Sequence, residues 1–232
     1  MIMNKPDIQF TRFFSVDSPK AIKAYKYGCI NAINYMAPDD TGSTKDKHFT
    51  LCPHSSAGCR SLCLGMYSGQ AAIVSDLENG TNKTRDSRKR KAQYFMNERK
   101  AFMNEMTWHI QNLARKSRVA KMNLVVRPNG STDIPFEKLR HNGKTLPERF
   151  GFVQFVDYTK SINRVLDPKR AKNYHLTFSL NEENEDDAKR ALKAGYNVAV
   201  VFGHGQPKKY LGHDVIDGTI HDLRHLDPSP GI

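Results

Sequence analysis

The second half of the chain alternates short apolar, β-branched runs with polar segments, and this alternation constrains the fold more than any other feature. The runs are "MNLVVRP" (122–128), "GFVQFVDYTK" (151–160), "NYHLTFSL" (173–180), "YNVAVVFG" (196–203) and "DVIDGTI" (214–220). Their apolar residues are largely contiguous, the pattern of strands covered on both faces. Between the third and fourth runs, "NEENEDDAKRALKAG" (181–195) places acids early, bases late and Gly195 last. That order matches the helix dipole and the preferred helix C-cap. Strand–helix–strand repetition predicts an α/β fold with a largely parallel sheet and right-handed crossovers. Short connections after 161 and 203 point to a partial or irregular (β/α) barrel rather than a regular eightfold one.

The first half reads differently. In "KAIKAYKYGCINAINYM" (20–36), Ile22, Tyr25, Cys29, Ile30, Ile33 and Met36 recur at helical spacing. This predicts an N-terminal helical portion with Cys29 on its buried stripe, either as core or as a fourth metal ligand. "HFTL" (48–51) reads as a short strand, and "GMYSGQAAIVSDLENGTNKT" (65–84) as loop or short helix. Residues 88–116 read as the longest helix, with Phe95, Phe102, Met106, Ile110 and Leu113 as core. The chain of 232 residues is long enough to bury a full core. The expected organisation is a single α/β domain. It comprises an N-terminal extension (1–47), a cysteine loop with a long helix (48–116) and a βα-repeat portion (117–232).

The net charge of +12 favours a polyanionic partner, a nucleotide or a nucleic acid. The charge is partly clustered in "KTRDSRKRK" (83–91), where Lys83, Arg85, Arg88, Lys89, Arg90 and Lys91 face one acid, Asp86. Bases in a first helical turn oppose the dipole, a conflict that a nearby anion relieves. Arg85, Arg88, Lys89, Arg90 and Lys91 are therefore the candidate nucleic-acid contacts, with a solvated helix start as the alternative. No apolar run approaches ~18 residues, so no membrane span is expected. The start "MIMNKPDIQFTRFF" lacks a signal-peptide pattern, so a reducing cytosol is the expected compartment.

Three of the four cysteines, Cys52, Cys59 and Cys63, fall in "LCPHSSAGCRSLCLG" (51–65). A reducing cytosol argues against a disulfide. Zinc would need a fourth ligand, with His54 and His48 as candidates, and its usual Cys-x2-Cys knuckles are missing. An iron–sulfur cluster also takes thiolates from a Gly- and Pro-containing loop, and three cysteines leave one iron open. Metal-free buried or catalytic thiols are the third reading. The positive field of the chain is expected to lower the thiol pKa values.

Each run in the second half ends in polar residues: Arg127, Asn129, Ser131 and Asp133; Asp157 and Lys160; Asn181 and Glu182; His204; Asp217, Asp222 and Arg224. In parallel α/β folds the functional crevice lies outside the carboxyl ends of the strands. His175, Thr177 and Ser179 alternate, so they share one strand face, as a ligand-lined barrel interior or a satisfied hydrogen-bond network. Asp133, Asp157, Lys160 and His175 are the candidate catalytic residues. Arg127, Asn129, Ser131, Thr177, Ser179, Asp217 and Arg224 are the candidate substrate contacts. Loop solvation and helix capping by Ser131, Thr132 or Asp133 are the alternative.

The blocks "CPHSSAGCRSLCL", "RPNGSTDI", "VQFVDYTK", "NYHLTFSLNEEN", "NVAVVF" and "VIDGTIHDLRHLDP" together resemble the bacteriophage gene-product-88-like family. The resemblance runs from about residue 25 to the C-terminus. It implies a phage protein acting in the host bacterial cytoplasm and names no activity. Members of that family extend past the "DLRHLDP" block, which implies that this chain is a shorter or truncated variant. The cysteine loop followed by βα units also resembles S-adenosylmethionine radical enzymes, whose usual spacing is Cys-x3-Cys-x2-Cys rather than the Cys-x6-Cys-x3-Cys seen here. That likeness implies a [4Fe–4S] cluster and S-adenosylmethionine as cofactors. The expected function is a phage-encoded iron–sulfur enzyme acting on a nucleotide or nucleic acid. The alternatives are a non-catalytic nucleic-acid-binding or host-defence-countering protein with a structural metal, and an Mg²⁺ nuclease using Asp133, Asp157, Asp217 and Asp222.

Overall fold

Five parallel strands form the sheet that organises this computed structural model, which describes residues 5–67, 71–73 and 80–232. They are β1 (Cys29–Ile33), β2 (Asn123–Arg127), β3 (Gln154–Thr159), β4 (Tyr174–Ser179) and β5 (Val198–Ala199). They lie side by side in chain order, β1-β2-β3-β4-β5, and every pair is parallel. Right-handed crossovers between successive neighbours put every connecting helix on one face, so the sheet is singly wound. The expected α/β class with a largely parallel sheet is the observed one.

The first face of the sheet presents Leu124, Val126, Phe155, Tyr174, Leu176, Phe178 and Val198, all buried in one apolar cluster. Its cover comes from α4 (Lys83–Asn97), α5 (Arg99–Val119), α6 (Leu146–Arg149), α7 (Ile162–Val165) and α8 (Glu185–Lys193). They contribute Phe95, Phe102, Met106, Ile110, Val165, Ala191 and Leu192. Burial of these side chains at roughly 1.5–3 kcal/mol each is the main stabilising term of the fold. The second face is different. Cys29, Val125 and Val156 form a small cluster with Ala24 and Leu223, and around them the face carries Asn31, Arg127, Tyr158, His175, Thr177 and Ser179. N-terminal residues and the C-terminal segment cover it, rather than a layer of long helices.

Several elements depart from the sequence expectation. Residues 20–36 are not a helix. The one-turn α1 (Pro19–Ile22) and a 3₁₀ turn (Lys23–Tyr27) end at Gly28, whose φ of 65° needs a glycine, and β1 follows. Cys29 is core at 4% exposure, packed with Val125 and Val156, its thiol donating to Tyr27 O. Residues 48–51 form no strand. The long helix breaks at Glu98 (φ −131°, ψ 48°) into α4 and α5, and α4 starts earlier than expected, where the Asn82 side chain accepts from Arg85 N–H. Residues 214–220 hold no parallel strand; β6 (Lys209–Tyr210) and β7 (His213–Asp214) form a separate hairpin. Part of the expected 65–84 loop lies outside the described residues. No helix among the described residues is long and apolar enough to cross a membrane.

Candidate metal and substrate site

The cysteine loop lies against the carboxyl ends of β2, β3 and β4. Glu182, just past β4, accepts from Ser56 Oγ at 2.8 Å and from Gly58 N–H at 2.7 Å. Asp133 N–H, past β2, donates to Leu51 O at 2.8 Å. The loop itself contains α2 (Ala57–Ser61), capped by Ser56, and α3 (Leu64–Tyr67). Two glycines allow this close fit. A Cβ on Gly58 would stand 2.7 Å from Glu182 Oε1, and one on Gly65 would stand 2.6 Å from Ser131 Cβ.

All three thiols are free and half-buried. Cys52 Sγ accepts from Asp39 N–H at 3.2 Å and donates to Ser131 O at 3.8 Å. Burial pushes its pKa up to about 12, with Asp133 and Cys63 adding to the rise. Burial also raises the Cys63 thiol, while the N–H groups of Gly65 and Met66 and the Lys160 cation pull it down. The expectation that the chain's positive field lowers these pKa values is therefore overturned for Cys52 and Cys63, because desolvation outweighs it. Cys63 lies within electrostatic reach of both Cys52 and Cys59. His48 faces Asp40 at 3.5 Å and His54 is exposed, so neither joins the thiols.

A single zinc ion needs four ligands within about 2.0–2.3 Å of one point. Among the described residues, no group of three or more His, Cys, Asp or Glu side chains is that close. A cluster interposes its own iron and sulfide atoms, so its thiolates stand farther apart than the ligands of one ion. The donor set suits a cluster: three thiols, with backbone N–H groups aimed at two of them, the kind of bond that tunes cluster potentials.

The rim residues divide into networks, and most are saturated. Asp157, 1% exposed, accepts from Asn129 N–H (2.9 Å), Asn129 Nδ2 (2.7 Å) and Tyr174 OH (2.5 Å). Burial still raises its pKa to about 6, against the pull of the Tyr174 bond and of Arg164. Asn129 also donates to Ile134 O and accepts from Thr132 Oγ and Ile134 N–H. Asp133 pairs with Arg164, whose other nitrogens bind Glu137 at 2.8 Å, and accepts from Lys160 N–H at 3.1 Å. Ser131 Oγ donates to Met36 O. Asn129, Asp133, Asp157 and Ser131 thus tie down the loop after β2, and a free catalytic role for the two aspartates does not fit their geometry. Thr132 and Asp133 cap no helix.

A second network lies on the other face. Arg127 binds Asp222 at 3.1 Å, donates to Asn129 O and stacks on Tyr158 at 4.6 Å. Burial opposes its charge, but the Asp222 carboxylate more than offsets that and keeps it charged. Lys20 reaches Asp222 at 3.1 Å as well. Arg224 binds Asp227 at 3.1 Å. Asp217 is turned to Thr219, which it caps. Asp133, Asp157, Asp217 and Asp222 therefore have separate partners, and the geometry assembles no carboxylate site for Mg²⁺ from them.

Lys160 and Ser179 lie together at the edge of the second face. Lys160 Nζ donates to Ser179 Oγ at 3.2 Å, and its charge acts on Cys63. His175 and Thr177 continue the Ser179 stripe down β4, away from the loop. The basic segment is split. Lys91 is buried (5% exposed), donates to Phe13 O at 2.7 Å and sits over Phe10 and Phe13, so it is withdrawn from the nucleic-acid set. Arg85 and Arg88 turn inward: Arg85 donates to Ala71 O, and Arg88 donates to Gly65 O over the Tyr35 ring. Lys83, Lys89 and Arg90 face solvent.

Sequence reasoning missed Glu182 as the anchor of the cysteine loop, Arg164 and Glu137 as a buried ion pair, and Tyr174 as the donor to Asp157. Glu182 had a signal, since it follows a strand directly. Arg164 and Tyr174 had none, because their partners are distant in sequence. No curated protein and no solved structure matches the chain, so the likeness to S-adenosylmethionine radical enzymes gains no support. The likeness to gene product 88 does gain support: the family described as Gene product 88 matches residues 14–232, nearly the whole chain, and this protein belongs to that family.

Proposed function

We propose that Cys52, Cys59 and Cys63 hold an iron–sulfur cluster and that the protein is an enzyme acting on a nucleotide or nucleic acid. The observation that carries this reading is the seat of the cysteine loop on the carboxyl edge of the parallel sheet, fixed by Glu182 and beside Lys160. Three thiolates leave one iron for a small molecule, and the cluster supplies electron transfer or Lewis-acid activation there. The chain's own residues do the rest. Lys160 offers a cation beside the thiols. Ser179 holds the Lys160 side chain. Exposed Lys83, Lys89 and Arg90, with the net charge of +12, favour an anionic partner.

Anaerobic purification followed by a visible spectrum and iron, sulfide and zinc analysis tests the reading. The expected result is a brown protein with about four irons per chain. A colourless protein with stoichiometric zinc overturns it and favours a binding protein with a structural metal. In that case affinity for generic DNA should fall steeply with salt and be indifferent to Lys160→Ala.

A further inference from the structure

The second face of the sheet holds a concentration of buried polar atoms without partners among the described residues. Asn31 on β1 carries two of them, and the group toward the other edge of the sheet is His175 Nε2 and Thr177 Oγ1 on β4, Asn197 Nδ2 at the start of β5, and Arg224 Nε and His225 Nδ1 on the 3₁₀ turn Arg224–Leu226. Thr177, Asn197 and Arg224 are 2%, 5% and 7% exposed. Native proteins leave few such groups unpaired, because each costs about 1–3 kcal/mol when desolvated without a partner.

The groups toward that edge share one place. His175 and Thr177 are two apart on β4, so both face the same way. The β4–β5 register (Phe178 opposite Val198) sets Asn197 beside Thr177, with Phe178 N–H bonded to Asn197 O. The 3₁₀ turn packs on β4, and Arg224 and His225 are close enough to His175 to disfavour its protonation. Two of these side chains, Asn197 and Arg224, are anchored at their other ends. Asn197 Oδ1 accepts from Gly231 N–H at 2.9 Å, and the Arg224 guanidinium holds Asp227 and His221 O. The unpaired ends of these two are therefore fixed in place.

Their chemistry selects a ligand. Arg224 Nε and Asn197 Nδ2 only donate, Thr177 can donate, and each imidazole presents one nitrogen. The charged groups that act on these residues and their partners are Lys20, Arg127, Arg170 and Arg224 against Asp217, Asp222 and Asp227, an excess of one cation. Neighbouring donors with one uncompensated positive charge suit an anion rather than a cation or an apolar group. We propose that this group of unpartnered side chains binds the oxyanion of a small ligand, a phosphate or carboxylate group. The proposal deepens the reading above, on which it rests for taking a nucleotide as the molecule that carries the oxyanion. The Ser179–Lys160 pair links this group to the cysteine loop along β4.

Calorimetric titration of the full chain with inorganic phosphate, acetate, AMP and adenosine tests it, with and without iron loading. AMP and one of the two simple anions should bind, and adenosine should not. Phosphate binding without acetate assigns a phosphate ligand; the reverse assigns a carboxylate. Thr177→Val should weaken binding at least about tenfold, the value of one well-placed hydrogen bond. Asn197→Leu should do the same if it folds; Thr177→Val decides alone if it does not. Absence of binding by every probe, equal binding of adenosine and AMP, undiminished binding in Thr177→Val, or a crystal structure with only ordered water on these atoms overturns the proposal. Binding to a chain that takes up no iron upholds the anion site and sinks the cluster; iron uptake without anion binding does the opposite.

Discussion

The loop after β2 and the second face of β4 are both buried and polar, yet they differ in saturation. Around Asp157 and Asp133 the side-chain groups find partners: Asn129, Tyr174, Arg164, Glu137 and the backbone of Lys160 close the network. Around Thr177 they do not. The comparison teaches that a carboxylate at a strand end is not by itself a catalyst. The saturated network is scaffold that holds the shelf on which the cysteine loop rests. The unsaturated face is where a ligand has something to gain.

The sharpest way to break this comparison is to open the scaffold. Arg164→Met leaves Asp133 and Glu137 buried without their partner, at an expected cost of about 3–5 kcal/mol in urea unfolding. A loss under about 1 kcal/mol would deny the network its structural role. Next, Thr159→Val and Thr177→Val are the same substitution in the two regions. Thr159 Oγ accepts from Ser161 N–H at 3.0 Å and Arg164 at 3.2 Å, so its loss should cost about 1–2 kcal/mol. Thr177→Val removes no bond and should leave stability within about 0.5 kcal/mol of the parent, or raise it. Equal losses at the two sites would erase the distinction.

Glu182→Ala should loosen the loop without unfolding the chain. The expected reading is a 10–100-fold weaker hold on iron against a chelator, about the effect of removing an outer-shell partner. The smallest effect is in pH. The folded pKa of His175 is lowered to about 4 by burial and by its cationic neighbours, from an ordinary 6.5. The neutral ring therefore contributes stability that is fully present above pH 6.5 and lost as pH falls toward 4. His175→Gln should flatten that part of the stability-versus-pH curve, and a curve of unchanged slope would remove His175 from the account.

Much of the sheet was legible because β2, β3 and β4 are short segments rich in apolar and aromatic residues between polar stretches and α8 carries its charges in dipole order. β1 was hidden. Its apolar residues also fit a 3.6-residue rhythm, and Gly28, which ends the preceding turn in a left-handed conformation, was the overlooked signal. The cysteine loop was legible from three clustered thiols. Asn197 and Tyr174 were not, since only the register of β4 with its neighbours gives them a role. Asp133 and Asp157 stood out as strand-end carboxylates, but Asp157 lies inside β3 and Asp133 well past β2, and partners far along the chain make both scaffold.

The central claim, that the loop over the sheet edge is a metal centre, is tested most directly by electron paramagnetic resonance of the anaerobically reconstituted, dithionite-reduced chain. The account predicts a reduced [4Fe–4S] signal that disappears when Cys52, Cys59 and Cys63 are replaced together by serine, with the fold intact by circular dichroism. A signal of equal intensity in that triple variant, or none in the parent after reconstitution, would contradict it.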